Sequence, residues 1–217
     1  MIHCKDILFS YPAGTFELNV RELHINHDEQ LAVIGSSGVG KTTLLYLLAG
    51  IYQTQGGQIS IDNIVLSEYN EVERRDFRIV SLGLVFQEFE LIEYLTVRDN
   101  ILLPYFINSV LIRNPEIESR AMDLLEATGL SNKKDRYPRQ LSQGERQRVA
   151  VCRALVTQPK VLFCDEPTGN LDPVNRNQVL KLLFDYSQHQ GAPLVMVTHD
   201  HQILDQFSRT IDIAGLA

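Results

Sequence analysis

A glycine-rich segment near the start of the chain has the residue types and spacing of a phosphate-binding loop. It reads Gly35-Ser36-Ser37-Gly38-Val39-Gly40-Lys41-Thr42 and fits the pattern GxxxxGK[ST]. Glycines let the backbone turn tightly, so several N–H groups can point at phosphate oxygens, and a following helix adds its positive dipole end. We expect Lys41 to reach the β- and γ-phosphates and the Thr42 hydroxyl to bind Mg²⁺. A chance glycine turn explains the match poorly, because the segment lies between an apolar strand and a helix.

Two adjacent carboxylates, Asp165 and Glu166, directly follow the apolar run Val161–Cys164. Such a run is typical of a buried parallel strand, and ligands of open α/β sheets bind beyond the carboxyl ends of the strands. We expect Asp165 to hold Mg²⁺, directly or through water, and Glu166 to polarise an attacking water. Alone, the pair could equally be a solvated acidic turn, but the phosphate loop on another strand favours the metal site.

The elements that must position these residues alternate between strand and helix at both ends of the chain. Hydrophobic periodicity predicts strands or hairpin arms at Asp6–Tyr11, Phe16–Ile25, Gln30–Gly35, Gln58–Leu66, Leu82–Phe86, Val161–Cys164, Leu194–Thr198 and Thr210–Ile213. It predicts helices at Lys41–Ala49, Glu116–Thr128, Ser142–Val156, Val174–Gln190 and Gln202–Phe207, with a helical turn at Arg74–Arg78. The economical architecture is an α/β core with a helical lobe inserted at about residues 88–158.

Composition limits the classes of function. The chain has 217 residues, a net charge of −7 and a pI of about 5.4, which argues against a general nucleic-acid-binding surface. Cys4, Cys152 and Cys164 are widely spaced and are interpreted as reduced, buried thiols of a cytosolic protein. No signal peptide and no apolar stretch of about 20 residues is recognisable. We therefore expect a soluble chain that works at a membrane, if at all, through a partner.

Further motifs, in the expected order, resemble those of the ABC ATPase superfamily over nearly the whole chain. Leu141-Ser142-Gln143-Gly144-Glu145 resembles the signature LSGGQ, and Gln87 matches the Q-loop glutamine. Gly169-Asn170-Leu171-Asp172 matches the D-loop and His199 the switch histidine, while Tyr11 lies where the family places an aromatic residue under adenine. The resemblance implies a P-loop NTPase (RecA-like) core with an N-terminal antiparallel β subdomain and an inserted α-helical subdomain. Residues 1–87 and 159–217 would form the core and 88–158 the lobe of one domain, 1–217.

The resemblance also implies an ATPase that uses ATP and Mg²⁺. Catalysis would depend on Lys41, Gln87, Glu166 and His199. Binding of Mg²⁺ would depend on Thr42, Gln87 and Asp165. Residues implied to contact the nucleotide are Tyr11, Gly35, Ser36, Ser37, Gly38, Val39, Gly40, Lys41, Thr42, Thr43, Gln87, Ser142, Gly144 and Asp165.

Several of these residues could also be explained by a purely structural role. Ser142 and Glu145 form the helix-capping pattern S-x-x-E, which would alone explain them. In the family, Ser142 and the Gly144 backbone would instead donate to the γ-phosphate bound by a second subunit. Gln143 departs from the commoner glycine, and its contacts stay open. A lone histidine is more often structural, but the context favours His199 as a γ-phosphate contact. Phe9 and Phe16 are the alternative candidates for the aromatic residue under adenine, where Tyr11 is expected.

In the family, each ATP lies between the phosphate loop of one subunit and the signature of another, so the resemblance implies a second copy as partner in an ATP-bound dimer. It also implies an integral membrane transporter subunit as partner, and the acidic balance argues against nucleic acid. The finer motifs resemble the lipoprotein-release, macrolide-export and cell-division branch (LolD-, MacB- and FtsE-like), located on the cytoplasmic face of the inner membrane. Residues 88–107, with Leu91 and Tyr94, would carry the coupling surface, unless they pack within the lobe. The chain ends soon after the last strand, so no appended regulatory domain is expected. The alternatives are a soluble ABC ATPase acting on nucleic acid or ribosomes, and a nucleotide-binding regulator without turnover.

Overall fold

Two β-sheets and two groups of helices form the computed structural model, which describes residues 1–12, 14, 16–169 and 171–216. The strands are β1 (Ile2–Ser10), β2 (Glu17–Ile25), β3 (Gln30–Ile34), β4 (Gly56–Ile61), β5 (Ile64–Val65), β6 (Leu82–Val85), β7 (Val161–Asp165), β8 (Leu194–Val197) and β9 (Arg209–Asp212). The α-helices are α1 (Lys41–Leu48), α2 (Glu71–Ser81), α3 (Val97–Leu102), α4 (Pro104–Ile107), α5 (Pro115–Ala127), α6 (Gln143–Leu155) and α7 (Pro173–Gln190).

The first sheet is antiparallel, with the strand order β2-β1-β4-β5. Strand β1 begins at Ile2, so the predicted start at Asp6 was wrong. Asp6 has a φ of +52°, and the pairing of β1 with β4 shifts register between Lys5 and Leu8. This bulge moves the buried positions from Ile2 and Cys4 to Ile7 and Phe9, which breaks the period-2 pattern that reveals a strand.

The second sheet is parallel, with the strand order β6-β7-β8-β3-β9 in the described residues. Every residue of β7 and β8 is buried, as the apolar sequence runs predicted. Strand β8 lies between β3, which enters the phosphate loop, and β7, which ends in the acid pair. Because the strands are parallel, both of these ends lie at the same edge of the sheet.

Helix α6 is shared between two hydrophobic clusters. Val149 and Cys152 pack in the cluster of the helical lobe with residues of α3 and α5, including Ile101 and Leu125. Val151, Ala154 and Leu155 pack instead in the cluster beneath the parallel sheet. A displacement of this helix would therefore disturb both parts of the molecule.

Three helices differ from the sequence prediction. The turn predicted at Arg74–Arg78 is the middle of the longer helix α2, which begins with a capping box formed by Asn70 and Glu73. Helices α3 and α4 were not predicted, although Thr96 caps α3 by accepting a hydrogen bond from Asp99 N. Both are short, so neither shows enough turns for a clear hydrophobic period.

Gly83 in β6 is expected to be intolerant of any side chain. A Cβ there would lie 2.6 Å from Leu162 Cδ2, 2.8 Å from Pro159 Cγ and 2.9 Å from the Ala154 carbonyl oxygen. We predict that Gly83→Ala lowers the free energy of unfolding by about 1–3 kcal/mol, because the backbone of α6 must move. Urea unfolding measures this loss, with Gly215→Ala as control, where a Cβ meets no described atom within 4 Å. Equal stability of the two variants would contradict the packing of α6 on β6.

Candidate nucleotide-binding site

The phosphate loop joins the end of β3 to the start of α1. Gly38 and Gly40 have φ angles of +77° and +108°, a conformation that residues with a Cβ rarely adopt. A Cβ at Gly40 would also lie 2.6 Å from Phe16 Cζ. Lys41 Nζ donates to the carbonyl oxygens of Gly35 at 2.8 Å and Ser36 at 2.9 Å, so the ammonium group lies along the loop. The loop therefore has the fold that the sequence motif predicts.

Thr42 and Asp165 connect the loop to the acid pair. Thr42 Oγ1 donates to Asp165 Oδ1 at 3.2 Å, and Asp165 is only 3% exposed. Burial disfavours the charged carboxylate and raises the pKa of Asp165, and the neighbouring Glu166 raises it further, while the Thr42 hydrogen bond and Lys41 oppose the shift.

The residues present fit a magnesium ion. A buried carboxylate beside a hydroxyl offers the hard oxygen ligands that Mg²⁺ prefers, and the ion would relieve the burial cost of Asp165. Among the described residues no group of three or more His, Cys, Asp or Glu side chains could hold a metal. That agrees with nucleotide sites, where one or two carboxylates and the substrate phosphates share the ion.

Glu166 and His199 form the second contact of the site. His199 Nδ1 pairs with Glu166 Oε2. The backbone of Glu166 has a φ of +46°, and its N–H donates to the Val197 carbonyl at 3.0 Å, which holds this conformation. The His199 side chain is 70% exposed, whereas that of Glu166 is 14% exposed. The imidazole therefore faces solvent while the carboxylate is held at the strand end.

One open cleft of about 560 Å³ brings most of the predicted residues together. It is lined by Tyr11, Phe16, Ser37, Gly38, Gly40, Lys41, Thr42, Thr43, Gln87, Glu166 and His199. Gly35, Ser36 and Val39 belong to the same loop but not to this lining, and Asp165 joins the cleft through Thr42. The Tyr11 hydroxyl lies 2.9 Å from Thr43 Oγ1 in a hydrogen bond.

The signature residues lie outside the described lining of this cleft. Ser142 Oγ accepts from Glu145 N at 3.3 Å and the Glu145 carboxylate accepts from Ser142 N at 2.9 Å, so the predicted capping box is formed. Gly144 is buried, and a Cβ there would lie 2.5 Å from Asn175 Cγ. Close helix packing thus requires this glycine. Of the predicted D-loop, Asn170 lies outside the described residues.

Two arginines that the sequence interpretation missed hold the segment after Gln87. Arg153 of α6 donates to the carbonyl oxygens of Phe89, at 2.8 Å, and Glu90. Burial lowers the pKa of Arg153 to about 10, with Glu90 opposing the shift. The Arg146 guanidinium lies 5.6 Å from the centre of the Phe89 ring. Both arginines lie in the helix that begins at the signature, and no contact of either was predicted.

Comparison with known proteins agrees with this geometry. The family model described as ABC transporter matches residues 18–169. The macrolide export ATP-binding/permease protein MacB of Rhodopirellula baltica is 39% identical over 97% of this chain, which spans 31% of that relative's length. The ATP-binding cassette MJ0796, solved as a dimer bound to ADP and Pi, has a TM-score of 0.88 and 31% identity over 98% of this chain and 94% of its own. The cassette cbiO1 of Clostridium perfringens, part of a transporter complex, has a TM-score of 0.84 and 30% identity over 97% and 83%.

The phosphate loop and the acid pair at one edge of a parallel sheet define a P-loop NTPase cassette, which confirms the expected fold class. The chain belongs to the ABC transporter family. The similarity to MacB agrees with the expected branch, and none of these relatives supports the alternative of an ATPase acting on nucleic acid or ribosomes.

Neutralising Asp165 is expected to stabilise the nucleotide-free protein. The pKa of Asp165 in the folded state lies above the unfolded value of about 3.9, so the folded state binds more protons in the window just above that value. Stability is therefore lost as pH rises through this window. Asp165→Asn can still accept from Thr42, and we predict a higher Tm at pH 7 by scanning calorimetry, with the gain disappearing below the unfolded pKa.

The matched control is Asp205→Asn, because Asp205 is exposed. A lower Tm for Asp165→Asn, or a difference from wild type that does not change with pH, would contradict the burial cost assigned to this carboxylate.

Proposed function

We propose that this chain is the ATP-binding and ATP-hydrolysing subunit of an ABC transporter, in which two copies close around ATP and drive a separate integral membrane subunit. The observation that carries the proposal is the single cleft in which Lys41 and Thr42 face Glu166 and His199, with Asp165 beneath them.

The polar side chains at the phosphate end of the cleft have distinct proposed roles in hydrolysis. Lys41 and the N–H groups of the loop bind the β- and γ-phosphates. Thr42, Asp165 and Gln87 would hold Mg²⁺, which when bound neutralises charge on the phosphate oxygens. Glu166 accepts a hydrogen bond from the attacking water and so polarises it, while His199 binds the γ-phosphate. The contact between His199 and Glu166 keeps these two groups within reach of one water.

Tyr11 is the aromatic residue proposed to stack on adenine. Phe9 is 7% exposed and packs in the hydrophobic core, while Phe16 also lines the cleft but packs against that core and lies close to Gly40. Tyr11 is 37% exposed and lines the cleft, with its hydroxyl held by Thr43. Stacking of this ring on the base would contribute about 1–3 kcal/mol, by analogy with base–aromatic stacking.

Two copies are required because the signature does not face the cleft of its own chain. Ser142 and Gly144 begin α6, whose N-terminal N–H groups and dipole favour an anion. In the proposed dimer they bind the γ-phosphate held by the loop of the other copy, and each copy completes the other's site. The similarity to MJ0796, which was solved as a dimer, supports pairing of two copies.

A groove between the core and the helical lobe is the proposed docking site for the membrane subunit. It has a volume of about 300 Å³ and is lined by Arg75, Arg78, Ile79, Leu82, Leu84, Phe86, Glu90, Leu103, Pro104, Ile107, Arg153, Ala154 and Thr157. The lining combines three arginines and one glutamate with mostly apolar residues, and this composition suits an amphipathic segment with acidic side chains. No helix of the described residues is long and apolar enough to span a membrane.

The predicted coupling surface separates into packed and exposed residues. Leu91 packs against the cluster of the helical lobe, so it is a poor probe of partner binding. Tyr94 is 90% exposed and Ile107 of α4 is 67% exposed. Ile107 also lines the groove between the core and the helical lobe, and Tyr94 belongs to the predicted coupling segment 88–107. We assign partner contact to Tyr94 and Ile107.

We further propose that residues 1–87 and 159–217 form the nucleotide-binding core and 88–158 the helical lobe of one domain. The partner has few membrane spans and a large extracytoplasmic part, and the work is export, lipoprotein release or mechanical transmission. The chain acts on the cytoplasmic face of the inner membrane. Similarity to MacB, whose name joins an ATP-binding part with a permease, supports this branch.

Trapping the complex tests the proposal. Glu166→Gln protein, loaded with ATP and Mg²⁺ in its native cells, should co-purify with a membrane protein of few spans, identified by mass spectrometry. Adding Tyr94→Glu or Ile107→Glu should remove this partner, because a charge is placed in the contact. Leu8→Glu, at a 38% exposed position of β1, should keep it. Co-purification of a many-span permease would contradict the assignment to the MacB-like branch. Co-purification of ribosomes or nucleic acid would contradict the transporter function itself.

A further inference from the structure

The first turn of α7 connects two parts of the site that are far apart in sequence. Asp172 caps this helix, accepting from Val174 N at 3.0 Å and Asn175 N at 3.1 Å. Asn175 also accepts from Arg148 of the signature helix α6 and donates to Asp172. The turn is thus fixed on one side against α6, where Gly144 leaves the space that Asn175 occupies.

Arg176 extends from the same turn toward the loop that carries His199. Its Nη1 donates to Asp200 Oδ2 at 2.9 Å and to Gln202 Oε1 at 3.1 Å. The side chains of Arg176 and Asp200 are 23% and 24% exposed, so solvent screens this ion pair less than a fully exposed one. Arg176 therefore links a turn anchored on α6 to the residue that follows His199.

Asp200 is well placed to set the backbone of this loop. Its N–H donates to Thr198 Oγ1 at 3.0 Å, and its Oδ1 accepts from Gln202 N at 2.9 Å. His199 lies between Thr198 and Asp200, and its own side chain is mostly exposed. An exposed imidazole packs against few neighbours, so its orientation depends on the backbone beneath it.

We propose that Arg176 is a positioning residue for ATP hydrolysis, holding the loop of residues 199–202 through Asp200 so that His199 stays aligned with Glu166. The inference rests on the roles proposed above for His199 and Glu166. Arg176 touches neither the nucleotide nor the water in this role. It fixes the distance between the anchored turn of α7 and the switch loop, and small misplacements of catalytic groups cost large factors in rate.

Steady-state ATP turnover of the purified chain tests this role. Arg176→Gln should lower kcat about tenfold while KM for ATP stays within about twofold, because the phosphate loop and Tyr11 keep their proposed contacts with the nucleotide. Arg176→Lys should recover most of the loss, since it can still pair with Asp200. Lys181→Gln is the matched control, removing one positive charge from an exposed ion pair with Asp185 on the same helix. Wild-type kcat in Arg176→Gln, or an equal loss in Lys181→Gln, overturns the inference.

The side-chain NMR signals of His199 give a second readout that does not depend on turnover. In protein labelled with ¹⁵N-histidine, with His199 assigned from a His199→Ala variant, Arg176→Gln should shift or broaden the His199 signals. Lys181→Gln should leave them unchanged. Unchanged His199 signals in Arg176→Gln overturn the inference.

His199→Ala separates the inference from the proposed function. Loss of turnover in His199→Ala with wild-type turnover in Arg176→Gln refutes the positioning role alone. Wild-type turnover in His199→Ala refutes the role of His199 in the proposed function as well.

Discussion

A hydrogen bond of 3.2 Å from Thr42 Oγ1 to Asp165 Oδ1 joins two segments that are 123 residues apart in sequence. It exists because β3 and β7 run parallel in one sheet and end at the same edge, with β8 between them. The contact places the hydroxyl that ends the phosphate loop against the buried carboxylate of the acid pair. Burial of Asp165 is costly without a cation, so the fold keeps a destabilising group at the site proposed to hold Mg²⁺.

Helix α6 links the surfaces proposed to bind other molecules. Its N-terminus carries the signature away from the chain's own cleft, its middle packs in both hydrophobic clusters, and Arg153 near its end holds the segment after Gln87. Arg153 also lines the groove between core and lobe. One rigid helix therefore connects a surface suited to a partner with the surface suited to a second copy of the chain.

The sequence predicted the parallel strands, the glycine loop and the capping box of α6, because these are local patterns, whereas the roles of the site residues stay predictions. It failed where a pattern was interrupted, as at the bulge of Asp6, or too short, as in α3. The pairs Arg176–Asp200 and Arg153–Phe89 have no local signature. They join residues 24 and 64 positions apart, and only the packing of α6 and α7 brings them together.

In the proposed dimer, each ATP lies between the phosphate loop of one copy and the signature of the other. Ser37→Cys and Gln143→Cys at exposed positions, in separate Glu166→Gln chains, can be joined by a short thiol cross-linker. The native thiols are buried, and burial raises the pKa of Cys4 and Cys152 to about 12, so they should not compete. The account predicts a cross-link between the two chains that requires ATP and Mg²⁺ and is abolished by Lys41→Ala. No cross-link at saturating ATP, or an equal yield without nucleotide, would contradict it.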